Sequence, residues 1–487
     1  MPASATRIRV VVIGAGFGGI GLGIKLKLAG RHDFLILEKS DCVGGVWREN
    51  RYPGAACDVP SHLYSFSFEP RADWPDKFGK QADILDYLTH CARKHSLEPH
   101  IRFGAEVSEA RWDEASCHWI VQTSGGEVYE AQALITATGQ LNRPYIPSLS
   151  GLQNFAGAAF HSAEWRQDYD FSGQRVAVIG TGASAIQFIP AIAPLVSKLI
   201  VFQRSAPYVL PKPDKQYSQW QRDMFARHAG LLRLSRLLTY IRHEMRAFAF
   251  VTWRAAMNIK KWSFRRFLRR SIKDDKLREG LTPDYRMGCK RILLSNDFYP
   301  AMARENVELV TQAIVDVRPD AIVTSDGVER KIDCIVYGTG FAATEFLVPI
   351  KITGTRGQDL HRSWQGGAKA HLGMTVSGFP NFFMLYGPNT NLAHNSIVYM
   401  IEHQIRYVMA CLDRLNRDEI RSLEIKRDVQ ERYNVKLQRR LQKAMWSKGC
   451  KSWYLTADGT NTANWPGYSL EFTLRTRAPK WDEYVVG

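Results

Sequence analysis

Two stretches constrain this chain more than anything else in it: IRVVVIGAGFGGIGLGIKLKLAG near the start and QRVAVIGTGASAIQFIPAIA at 174–193. In each, a β-branched run ends on a glycine and helical periodicity takes over. The first reads Gly14-x-Gly16-x-x-Gly19. Gly14 permits the tight turn, Gly16 lets backbone approach a pyrophosphate, and Gly19 lets the helix lie close on the strand with its N-terminus toward phosphate. The next strand, FLILEKS, carries Glu38, 19 residues after Gly19. A carboxylate there accepts hydrogen bonds from the ribose hydroxyls of an adenosine.

The second turn reads Gly180-x-Gly182-x-x-Ala185, with Ser184 just ahead of the third small residue. Nineteen residues after Ala185, in KLIVFQRSAP, stands Arg204. The offset is the same and the charge is reversed. A cation at the ribose end suits the 2′-phosphate of NADPH, which a carboxylate would repel. The first turn therefore takes FAD and the second NADP. Two further apolar segments end on glycine turns, ALITATGQLNRPYIP with Thr138-Gly139 and CIVYGTGFAATEF with Gly338 and Gly340. They read as parallel strands passing a nucleotide.

The expected fold class is α/β, with two interleaved Rossmann-like dinucleotide-binding domains and a helical insert. Residues 1–145 and 335–487 form a discontinuous FAD domain; 146–334 form the NADP domain, including an insert at about 215–285. A chain of 487 residues is long enough for such a plan. No uninterrupted apolar run is long enough to span a bilayer. The eight cysteines are scattered, none as CxxC, which suits a cytoplasmic enzyme and argues against a dithiol reductase. No metal-ligand spacing occurs around the histidines, and GxSxG, HExxH and P-loop motifs are absent.

The net charge is +17, yet positions 221–280 hold 16 Lys and Arg against five Asp and Glu. That one segment supplies most of the excess, and no nucleic-acid motif accompanies it, so nucleic acid is not expected as a partner. The preferred reading is a solvated face beside the NADP site. The alternative is peripheral contact with an anionic membrane.

Between the two turns lies FAGAAFHSAEW, with Phe155, Gly157, His161 and Trp165 at steps of two, four and four. It resembles the FxGxxxHxxxW fingerprint of type I Baeyer–Villiger monooxygenases, from which Arg166 departs. The likeness extends through GGVWRENRYPGAACDVPSHLYSFSF, FQRSAPYVLPKPD, GCKRILLSNDFYP and NWPGYSLEF. The resemblance implies an enzyme that converts ketones to esters or lactones with NADPH and O2, through a C4a-peroxyflavin. It implies that Arg291 is the active-site cation, that Asp58 orients it, and that His161 acts in turnover, either at the chemistry or in coupling the domains. It also implies that Lys290 and Ser205 join Arg204 on the 2′-phosphate and that Trp47 packs near the flavin. On the same likeness, the turn ending in Asn389 leads a helix end toward the flavin, and the NWPG turn belongs to a mobile loop over the nicotinamide. Alternatives are a flavin N- or S-oxygenase, an NADPH oxidoreductase without oxygen transfer, and a non-catalytic binding protein.

Overall fold

The computed structural model describes residues 5–251, 256–417, 420–447 and 452–487. Its frame is two sheets, each grown around one of the glycine turns. In the eight-stranded sheet, Thr6–Ile13 lies between Phe34–Leu37 and Val128–Thr136, parallel to both. Residues 10–13, 34–37 and 133–135 are buried almost throughout, which is why they read as continuous apolar runs rather than alternating ones. Val107–Asp113 and His118–Thr123 extend the sheet antiparallel, and Phe382–Met384 returns from far along the chain to pair with Val128–Thr136. The helices Phe17–Leu28 and Ile397–Arg417 pack together over this sheet, with Ile405 against Gly21.

The second sheet has five parallel strands in the order Val307–Val310, Lys198–Phe202, Arg175–Ile179, Cys334–Tyr337, Ala158–His161. Its switch point, where successive crossovers run to opposite sides, falls between Arg175–Ile179 and Cys334–Tyr337. Ligands of such sheets bind there. This order moves one expected boundary. Residues 335–337 pair with both Arg175–Ile179 and Ala158–His161, so they belong to the second sheet. The sequence pattern marks the strand but carries no sign of which sheet takes it.

The insert consists of helices Gln219–Arg227, Ala229–Val251, Ala256–Ser271 and Asp275–Gly280. Ser218 and Gln221 close a reciprocal capping box at its start. Its basic residues are not all solvated. Arg236 turns inward and donates to the carbonyls of His62 at 2.9 Å and Ser65 at 2.8 Å, with Glu402 at 3.6 Å. The insert thus rests on the first unit as well as the second. Among the described residues no helix is long and apolar enough to cross a membrane. Six thiols are free, but Cys289 is disulfide-bonded, an exception to the scattered thiols the sequence suggests; Cys450 lies outside the described residues.

Candidate active site

One cavity of about 1270 Å3 runs from the first glycine turn to the second. That exceeds the usual range for a single drug-sized ligand, about 300–1,000 Å3. At the first turn Gly14 has φ +103°, and a Cβ there would lie 2.8 Å from the Ala137 carbonyl oxygen. Gly16 faces the cavity, with only Gly45 near the place a side chain would take. Gly19 is hidden: its Cβ would meet the Gly14 carbonyl oxygen at 1.9 Å, so it serves helix–strand packing rather than ligand contact. Glu38 is buried and lines the cavity. Its oxygens accept the Ala15 amide at 2.7 Å and the Ser40 amide at 3.0 Å. Each carboxylate oxygen keeps a further acceptor position, as a ribose diol requires. Thr138, Gly139 and Trp47 line the same end, and Trp47 Nε1 donates to the Tyr64 hydroxyl at 3.2 Å.

The second turn repeats this build. Gly180 has φ +102°, and its Cβ would stand 2.5 Å from the Gly338 carbonyl oxygen. Gly182 and Ser184 line the cavity, while Ala185 is fully buried, its Cβ where a side chain on Gly338 would collide. Arg204 is exposed, lines the cavity and forms no ion pair among the described residues. Beside it, Lys290 Nζ donates to Ser205 Oγ at 2.7 Å. Burial and then the charge of Arg204 hold the Lys290 ammonium below its ordinary pKa. Two crowded cations with no acid in ion-pair contact among the described residues, Asp284 acting on Lys290 only from farther off, fit a phosphate-bearing ligand.

Where the two ends meet, Arg291 Nε and Nη2 reach one oxygen of Asp58, at 3.1 and 2.5 Å. Both side chains are about one-third exposed, at 30% each, and that exposure is to the cavity they line. The Asp58 charge raises the guanidinium above even its ordinary value, against the effect of burial. Burial pushes Asp58 up, but the Arg291 charge and hydrogen bond outweigh it, and the carboxyl sits below the usual range. The cation is therefore permanent and held from one side.

Two expected site residues stand elsewhere. His161 is fully buried at the end of the edge strand of the second sheet and does not line the cavity. Its Nδ1 accepts the Ala163 amide at 3.1 Å, and burial lowers its pKa despite the nearby Gly340 backbone. That contact makes Nδ1 a cap on the short turn Ser162–Glu164. Its neighbours in the fingerprint also pack. A Cβ on Gly157 would strike the Asp333 carbonyl oxygen at 2.3 Å, and Trp165 meets Tyr52 of the first unit and Phe188 of the second. Asn389 is likewise buried, donating to the carbonyls of Asn461 at 2.8 Å and Asn464 at 3.3 Å; Asn391 lines the cavity instead. The NWPG turn is an anchor, with Asn464 and Trp465 fully buried.

Sequence reasoning missed Gln187, which reaches from the second turn's helix to the first unit. Its Nε2 donates to the Ala56 carbonyl at 2.9 Å, and its Oε1 accepts the Tyr52 hydroxyl at 3.2 Å. The signal was present: it is the one hydrogen-bonding side chain in AIQFIPAI. It also missed Gly44 and Gly45, both at positive φ; a Cβ on Gly45 would lie 3.1 Å from Gly16 Cα.

The flavin-binding monooxygenase-like family matches residues 7–350. A Baeyer–Villiger monooxygenase of Pseudomonas aeruginosa is 46% identical over 478 residues, 98% of this chain and 91% of that protein. This chain belongs to that family. A second Baeyer–Villiger monooxygenase, from Streptomyces coelicolor, is 43% identical over 94% of the chain and 88% of its own length. Among solved structures, the closed form of cyclohexanone monooxygenase superposes with a TM-score of 0.89 at 27% identity, covering 99% of this chain and 100% of that one. Oxidized steroid monooxygenase bound to NADP gives 0.88 at 31% identity, over 99% of each. The two-sheet architecture of this monooxygenase is thus that of the Baeyer–Villiger enzymes.

Proposed function

We propose that this flavoprotein monooxygenase carries out Baeyer–Villiger oxidation: a ketone, NADPH, a proton and O2 give an ester or lactone, NADP+ and water. The enzyme is FAD- and NADPH-dependent. When bound, the flavin accepts hydride from NADPH and activates dioxygen. FAD belongs at the Gly14 turn, with Glu38 on its ribose and Trp47 beside it. NADPH belongs at the Gly180 turn, with Arg204, Lys290 and Ser205 on the 2′-phosphate. Arg291 keeps a fixed positive charge where negative charge develops on the reacting oxygens, and Asp58 holds it in place without neutralising its outer N–H groups. His161 and Asn389 position backbone rather than touch substrate. Six free thiols against one disulfide-bonded cysteine among the described residues favour a cytoplasmic location.

The observation that carries this reading is the Asp58–Arg291 pair, set in the cavity between two dinucleotide turns of opposite ribose-end charge. The test supplies the FAD-loaded enzyme with NADPH, 18O2 and a panel of cyclic, aryl and long-chain aliphatic ketones. The expected product is an ester or lactone bearing one 18O atom. NADPH consumption yielding only hydrogen peroxide across the panel would refute it. Sulfoxide from a thioether, with no ester from any ketone, would favour an S-oxygenase.

A further inference from the structure

The reaction leaves one face of the insert without a task. The helix Ala229–Val251 is apolar on two sides. Its inner side docks on the body of the enzyme through buried Leu232, His243 and Ala247 and the inward Arg236. On its outer side Leu231, Leu234, Leu237, Leu238, Ile241 and Met245 recur at steps of three and four, each between 37% and 70% exposed. At 3.6 residues per turn they form a strip about 120° wide and about 21 Å long, opposite the buried side. Arg233 and Arg242, both exposed, border that strip on its two edges.

Elements beside the helix expose further apolar side chains. The Leu470 amide donates to Glu244 Oε1 at 3.0 Å, and Leu470 and Leu474 of the neighbouring short helix are 51% and 65% exposed. The following insert helix, Ala256–Ser271, exposes Ile259 and Trp262 among Arg265, Arg266, Arg269 and Arg270. Singly exposed leucines need no explanation, but an ordered strip of six on one helix does.

Charge decides what can cover it. The single acid of this helix, Glu244, points inward to Asn395 and Ser469. A second copy meeting this face symmetrically would bring arginine edges against arginine edges. A bilayer with acidic headgroups supplies hydrocarbon for the strip and phosphate for both edges. We propose that this face docks on an anionic lipid surface. The helix lies along the headgroup boundary, its six aliphatic side chains among the acyl chains and Arg233 and Arg242 at the phosphates.

The test is flotation of the full-length, FAD-loaded enzyme with vesicles of phosphatidylcholine containing about one-third phosphatidylserine, against pure phosphatidylcholine. The enzyme is expected to float with the mixed vesicles, not with the neutral ones, and to be released by high salt. Leu238→Glu with Ile241→Glu should weaken binding by at least about tenfold. Arg233→Gln and Arg242→Gln should each weaken it about fivefold. FAD content and NADPH oxidation should stay unchanged in all of these variants. No flotation with anionic vesicles, or flotation indifferent to both sets of substitutions, would overturn the proposal. So would a dimer in analytical ultracentrifugation that Leu238→Glu dissolves, which would give the face to a second copy.

Discussion

The two glycine turns are near copies in backbone and opposites in chemistry. Gly14 and Gly180 hold φ of +103° and +102°, each with a carbonyl oxygen across the crevice where a Cβ would go. The third small residue, Gly19 or Ala185, is buried in the helix–strand contact in both. They part at the end of the following strand. Glu38 is buried and bound to two amides; Arg204 is exposed, with Lys290 and Ser205 alongside. The two cradles thus share a backbone and differ in the charge of one side chain at a fixed offset. The degree of burial adds a second distinction: a preformed, enclosed acid suits a resident cofactor, and an open cluster of cations suits one that exchanges.

The largest expected effect lies between the turns. Arg291→Ala should still be reduced by NADPH, while ester formation falls by roughly a hundred- to a thousand-fold, as loss of a fixed charge-stabilising donor typically gives. Equal loss of both activities would mean that Arg291 serves nicotinamide binding instead. Next, Glu38→Gln replaces a charged acceptor by a neutral one at the first turn only. FAD affinity should drop by about tenfold or more, measured by flavin retention on dialysis, while NADP+ affinity stays put. A matching loss at the second site would mean that the two turns do not hold separate dinucleotides.

The third prediction uses pH. Lys290 carries its charge below its depressed pKa and loses it as pH rises through that value, so kcat/KM for NADPH should decline on the alkaline side below the ordinary lysine value. In Arg204→Ala the neighbouring cation is gone, and the decline should move to higher pH. An unmoved limb would mean that the two cations do not share a site. The smallest effect concerns the joint between the units. Gln187→Ala removes the side-chain bridge to Tyr52 and Ala56 and should cost about 1–3 kcal/mol of stability. It should be read as a lower melting temperature of the holoenzyme with FAD still bound.

Much of this site was legible because it rests on local backbone geometry. A turn that only glycine tolerates, followed at a set distance by an acid or a base, leaves its mark in consecutive residues. Asp58 and Arg291 lie 233 residues apart and needed the family resemblance to be joined. What stayed hidden depends on tertiary partners. His161 and Asn389 have side chains suited to chemistry, but their partners turned out to be the Ala163 amide and the carbonyls of Asn461 and Asn464. The strand Cys334–Tyr337 was evident as a strand, yet its sheet is decided by Arg175–Ile179 and Ala158–His161. Arg236 looked like one more surface cation until carbonyls of the first unit claimed it.

The most direct test of the division of labour is a titration of the FAD-loaded enzyme with NADP+ and with NAD+, on wild type and Arg204→Ala. Wild type should prefer NADP+ by about tenfold or more, the preference should collapse toward unity in the variant, and flavin content should be the same in both. A preference that survives the substitution, or flavin lost in place of nicotinamide discrimination, would contradict that division.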